Sequence, residues 1–217
     1  YNLLIEKIKS FPFDPFNKIS YAEKIFIYIH SIWLNEYKRE ATTLLDIINK
    51  KQYNCVAATI LYNLICDDVN LSTGAFETPT HVYTIFNDFD KDVIVENTSS
   101  MGFNMLKNLQ AYSRYLATFY PESQVLRIGL DRLYEHEHSK GREINNTELL
   151  GLLAYNQAYF AMKNKNYKRS YQLVLLAQLF NSDSRSNIDF EIGLYYKWGK
   201  QLFEMGKFYE AFGVYAD

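Results

Sequence analysis

Tyr53-Asn54-Cys55-Val56-Ala57-Ala58-Thr59 is the stretch whose reading decides this fold. Residues 40–50 before it read as a helix with Leu44, Leu45, Ile47 and Ile48 on its apolar side. Lys50 and Lys51 close that helix, where cations complement the dipole. A short turn follows, and Asn54 is a residue type that caps helix N-termini. The next helix then opens at Cys55 and runs to about Cys66, with Val56, Thr59, Ile60, Asn63 and Leu64 on one face. This places a thiol beside the unpaired N–H groups of a first helical turn. A thiol becomes a strong nucleophile only when deprotonated, and a helix N-terminus or a nearby imidazolium favours that state. The same N–H groups can hold the oxyanion formed when a thiolate attacks a carbonyl.

A base and an acid follow in chain order. His81-Val82-Tyr83-Thr84-Ile85-Phe86 has the β-branched and aromatic make-up of a strand. Asn87 to Asp90 reads as a turn, and Asp92-Val93-Ile94-Val95-Glu96 as a second strand, giving a hairpin. The turn lies near the middle of the His81–Glu96 interval, so the two residues are expected to be cross-strand neighbours. In such a site His81 takes the thiol proton and Glu96 orients the ring. Asn97 is the rival orienting group, and Gln52 the side-chain candidate for an oxyanion donor. Singly, a cysteine at a helix start is more often a small core residue than a nucleophile. Order, spacing and element type together favour the acyl-transfer constellation.

The remaining chain bounds this reading. At 217 residues with 48% hydrophobic residues, it can bury a large core. The periodicity changes near residue 140, so residues 1–140 read as a core and 141–217 as a helical extension. A net charge of -2 with interspersed signs carries no nucleic-acid footprint. Ile25 to Leu34, the best membrane candidate, falls short of the roughly 20 residues needed to span. The chain begins at Tyr1 without a visible signal peptide, which leaves the compartment open. Cys66 lies about 16 Å beyond Cys55 along one helix, too far for a disulfide, and reads as core. Two cysteines give no zinc spacing, and Glu135-His136-Glu137-His138 reads as a solvated polar segment rather than a metal site. No metal or organic cofactor is implied.

Further elements are expected as follows. Residues 2–10 form a helix ended by Pro12 and Pro15, and Ser20 with Glu23 is a capping box for the next. His30, on that helix, is structural, since no acid or cysteine accompanies it. Residues 72–80 form a loop and 104–120 a helix. Leu126, Ile128 and Leu130 alternate like a strand, with helix an option from Leu130 to His136. Asn145 with Glu148 caps a long helix over about 146–164.

The residues around the site resemble the transglutaminase-like branch of the papain-like cysteine peptidase superfamily, over about residues 35 to 105. That family places its Cys at the start of a core helix, here Asn54-Cys55, and favours an aromatic near the His, here His81-Val82-Tyr83. Its acid is usually Asp with Thr two places later, here Val95-Glu96-Asn97-Thr98. Glu96 in place of Asp reaches one methylene further. The C-terminal part resembles tetratricopeptide repeats: aligning Tyr167 with Phe208 gives an offset of 41 (208 − 167), matching Ala158 with Gly199, Ala161 with Leu202 and Ser170 with Ala211. The usual period is about 34, and the Ser- and Asp-rich stretch 181–187 is the place for the extra residues. Such a core with such a tail is similar to a bacterial subgroup of the family, some of whose members have lost the catalytic Cys.

Together these readings imply an α+β fold: a papain-like or transglutaminase-like core with a small antiparallel sheet, then an α-helical, tetratricopeptide-like extension. The implied function is acyl transfer on an amide or peptide through Cys55, His81 and Glu96. Hydrolysis is favoured over transamidation, because water needs no second binding site. The alternative is an inactive module that binds a protein or peptide partner through the repeats, near Tyr155, Tyr159, Tyr195 and Trp198.

Overall fold

A computed structural model of the chain describes residues 1–88, 91–105 and 109–216. It is a mixed helix-and-sheet structure dividing into two compact units, one from Tyr1 to Asn146 and one from Thr147 onward.

The first unit begins with α1 (Asn2–Lys9) and α2 (Lys18–Ile32). Asn17, rather than Ser20, caps α2: its side chain accepts from the Ser20 N–H at 3.1 Å, so the helix starts earlier than the capping-box pattern implied. Trp33 ends α2. Two short strands, β1 (Glu36–Tyr37) and β2 (Gln52–Tyr53), pair in parallel around α3 (Leu44–Lys50). Thr43 caps α3, and Lys51 leaves it in the left-handed conformation at φ 56°.

Helix α4 (Cys55–Asp68) is the central element, with ten buried residues including Ile60, Leu61, Tyr62 and Ile65. It is apolar over most of its surface because most of it is covered; Leu64, Asp67 and Asp68 remain exposed. Each fully buried Ile or Leu contributes about 1.5–3 kcal/mol.

A four-stranded antiparallel sheet carries α4. Its order is β5-β4-β3-β6, with β3 (Thr73–Glu77), β4 (Val82–Asp88), β5 (Lys91–Val95) and β6 (Arg142–Ile144). Strand β4 alternates across two covered faces. Thr84 donates to Asn63 Oδ1 of α4 at 2.6 Å, while Tyr83 and Ile85 join Phe76, Ile94, Tyr112, Leu116 and Leu133 on the other face. Tyr112 and Leu116 come from α5 (Leu109–Ala117) and Leu133 from α7 (Leu133–His138), which α6 (Glu122–Ile128) precedes.

Several expectations need correction here. The 72–80 loop contains β3, whose residues Ala75 and Phe76 are buried between two partner strands. The alternating Leu126–Leu130 stretch is helix α6 and a following 3-10 turn, with no buried residue in either to reward strand pairing. Residues 142–144 pair with β3 instead, as β6. The Glu135–His138 segment is solvated only in part. Glu137 is buried and accepts from Thr80 Oγ1 at 3.2 Å, and the His138 ring stacks on Phe76 at 4.3 Å. Part of the expected 87–90 turn and of the 104–120 helix (residues 89–90 and 106–108) lies outside the described residues.

The second unit contains α8 (Asn146–Lys163), α9 (Tyr167–Phe180), α10 (Arg185–Glu204) and α11 (Phe208–Ala216). The α8–α9 and α10–α11 turns repeat each other bond for bond. Asn166 N–H donates to the Ala161 carbonyl at 2.8 Å, and Lys207 N–H to Leu202 at 2.9 Å. Lys165 and Gly206, at the same offset, both take positive φ, at 60° and 74°. The paired small residues allow close helix contact. Ser170 Oγ donates to the Ala158 carbonyl at 2.8 Å, and a Cβ on Gly199 would overlap the Tyr215 ring.

Candidate thiol site

The N-terminus of α4 is fixed twice over by Asn54. Its Oδ1 accepts from the Ala57 N–H at 2.9 Å, and its Nδ2 donates to the Arg39 carbonyl at 3.3 Å. The extended Asn54 backbone, at φ -116° and ψ 178°, delivers Cys55 at the first helical position. The Cys55 and Val56 N–H groups, first in the helix, have no intrahelical acceptor. Cys55 is half-buried, so reagents can reach it, whereas Cys66 is fully buried and burial pushes its thiol up to about 12.

His81 immediately precedes β4, and a bracket of bonds with Thr78 holds it: its N–H donates to Thr78 Oγ1 at 3.0 Å and its carbonyl accepts from the Thr78 N–H at 2.8 Å. Glu96 immediately follows β5. The hairpin register, with Thr84 opposite Val95, brings these two flanking positions together. His81 Nε2 and Glu96 Oε2 are 2.7 Å apart, both side chains being fully buried. The other carboxylate oxygen accepts from the Thr98 N–H at 3.0 Å and from the Thr98 hydroxyl, which also meets the Tyr115 hydroxyl. Each oxygen of Glu96 is thus engaged, and the carboxylate cannot turn away from the imidazole.

The imidazole is held on its faces as well. Phe119 stacks on it at 4.8 Å and Tyr115 meets it edge-on at 6.2 Å. With Nε2 given to Glu96, only Nδ1 is left for the thiol. Nδ1 is buried and outside hydrogen-bonding geometry with any side chain, yet the Cys55 thiol is close enough to perturb the ring. Catalytic hydrogen bonds are often long before substrate binds. Burial alone would lower the His81 pKa. The Glu96 charge, then Cys55, outweigh burial and raise it, which favours imidazolium at neutral pH.

The sequence-derived candidates separate cleanly. His81 and Glu96 pair directly, and Cys55 lies near enough to act on the His81 ring. Asn97 does not reach His81: its amide donates to Thr84 Oγ1 at 2.8 Å inside the core. Gln52 donates instead to Glu36 Oε2 at 2.8 Å on the β1–β2 ribbon, so its amide is committed elsewhere. His30, read as free of acidic company, lies within reach of the Glu96 charge and the Asn97 backbone. Burial nevertheless pushes it down to about 4, which keeps it neutral. Tyr37, Tyr115 and Phe119 around the site went unnoticed in the sequence. The one available signal was Tyr37 sitting just before a capped helix that leads back to Tyr53. Among the described residues, no group of three His, Cys, Asp or Glu side chains could hold a metal ion, and no helix is long and apolar enough to cross a membrane.

Comparison with protein-family models, curated proteins and solved structures found no match to this chain.

Proposed function

We propose that this chain is a thiol-dependent acyl-transfer enzyme with a transglutaminase-like core, acting on an amide or peptide substrate. One observation carries the reading: a buried imidazole tied through one nitrogen to a fully engaged carboxylate, with its other nitrogen left for a reachable thiol at a helix N-terminus. In this reaction the Cys55 sulfur, its proton already resting on His81 Nδ1, attacks the substrate carbonyl carbon. The carbonyl π pair moves onto oxygen, giving an oxyanion beside the first N–H groups of α4. Collapse of that intermediate expels the amine, which takes the proton from His81. Water, deprotonated by His81, then attacks the thioester and regenerates the thiol. Glu96 holds the ring and offsets its positive charge throughout. Water as the acceptor needs no second binding site, which favours peptidase or amidase chemistry over transamidation.

The test is acylation with p-nitrophenyl acetate, followed by mass spectrometry. The expected result is an acetyl thioester on Cys55, absent in Cys55→Ala and formed at least about 100-fold more slowly in His81→Ala. No adduct at Cys55, or an unchanged rate in His81→Ala, refutes the proposal.

A further inference from the structure

The geometry points to Tyr37 as a fourth catalytic residue, set on the same face as Cys55, whose hydroxyl donates to the substrate oxyanion during acylation. This deepens the acyl-transfer reading and rests on it. Parallel pairing sets Tyr37 beside Tyr53, their rings 5.9 Å apart edge-to-face. Side chains two residues apart on an extended stretch share a face. With Asn54 extended, Cys55 therefore emerges on the side that carries Tyr53 and Tyr37. The Lys38 N–H bond to the Tyr53 carbonyl, 2.8 Å, and the Asn54 bond to the Arg39 carbonyl lock that register on both sides of Tyr37.

Three further observations converge. The Tyr37 ring meets Phe119 at 6.5 Å, and Phe119 is the ring stacked on His81, so Tyr37 closes the aromatic wall around the thiol. The Cys55 thiol is near enough to act on the Tyr37 phenol. Tyr37 is 38% exposed, so the wall is open to solvent at that residue. Burial first, then the neighbouring thiol, raises the phenol pKa, so the group is a donor at any working pH. The expected side-chain donor, Gln52, is bound to Glu36 and leaves this position to Tyr37. The oxyanion would then receive the Cys55 backbone N–H from one side and the Tyr37 O–H from the other. Tyr37 gives a hydrogen bond and transfers no proton. In reaction with an aryl ester, the S–C bond forms, the C–O bond breaks, and aryl oxide departs while the thiol proton stays on His81.

The experiment compares Tyr37→Phe with the unmodified chain in two reactions at Cys55. Acylation by p-nitrophenyl acetate passes through an oxyanion, whereas alkylation by iodoacetamide does not. The expected result is an acylation rate lower by about 100-fold, with alkylation within about threefold. Equal losses in both reactions would mean that Tyr37 only positions the thiol, and unchanged acylation would mean that it does nothing. Either outcome overturns the proposal. If the unmodified chain is alkylated but not acylated, the acyl-transfer reading itself fails, and this proposal falls with it. The substitution keeps the ring that packs on Tyr53 and Phe119, and circular dichroism verifies the fold.

Discussion

Replacing Glu96 by Gln removes one charge and leaves shape and most hydrogen bonds in place. The amide oxygen can still accept from the Thr98 N–H and hydroxyl. What is lost is the attraction between carboxylate and imidazolium across a 2.7 Å contact buried from solvent. Two unit charges centred about 3.5 Å apart at an effective dielectric near 20 attract by about 5 kcal/mol. An amide hydrogen bond retains about 1–2 kcal/mol of this, so the net loss is about 3 kcal/mol. At 1.4 kcal/mol per tenfold, His81 then binds its proton about 100-fold more weakly than in the unmodified fold, where its pKa is raised to about 10. The assay is the NMR titration of the His81 ring in both chains. The expected result is a titration midpoint lower by about two pH units in Glu96→Gln, with a melting temperature lower by roughly 6–12 °C. A midpoint within about half a pH unit of the unmodified chain's would refute the charge-pair argument, whatever the variant's stability.

Two further outcomes follow from groups next to Glu96. His30 is neutral in the fold, pushed down to about 4 chiefly by burial, while the unfolded chain takes up a proton near pH 6.5. A depressed histidine therefore gives stability that is present above pH 6.5 and is lost as pH falls toward 4. The loss is about 1–3 kcal/mol after allowing for partial exposure; urea midpoints of His30→Gln should fall less steeply over this window, and an identical slope would exclude the cause. Gly102 has no room for a side chain, because a Cβ there would overlap the Glu96 carbonyl oxygen, backbone against backbone. Gly102→Ala should cost about 2–4 kcal/mol and slow Cys55 labelling by displacing Glu96; an unchanged melting temperature would show that the loop yields freely.

The parts legible in the sequence were those set by local chemistry. Asn54 announces its helix because a short amide at that position competes for first-turn N–H groups, and it does cap α4. The β4–β5 hairpin was legible because its residues are β-branched or aromatic almost without interruption. Long-range pairing was not. Strand β3 carries Gly74 and only two buried apolar residues, and becomes a strand through partners on both sides, one of them about 70 residues away in sequence. Leu126, Leu130 and their neighbours alternated by accident, without a buried face to enforce it. Asn97 and Glu96 were equivalent candidates on paper, but adjacent residues at a strand end point to opposite faces, and only the core side offered Asn97 partners, in Thr84 and Thr59. Tyr37 was hidden because nothing in a two-residue strand shows which distant helix it will flank.

The two tryptophans fall one to each unit. Trp33 ends α2, and Trp198 lies on α10 with its ring parallel to that of Tyr167 at 6.5 Å. Each unit therefore contains its own intrinsic fluorophore. Trp33→Phe leaves emission from the helical unit alone, and Trp198→Phe leaves emission from the unit that holds Cys55. Unfolding of either unit can be followed by its own emission in the intact chain, without an external label that would consume the Cys55 thiol.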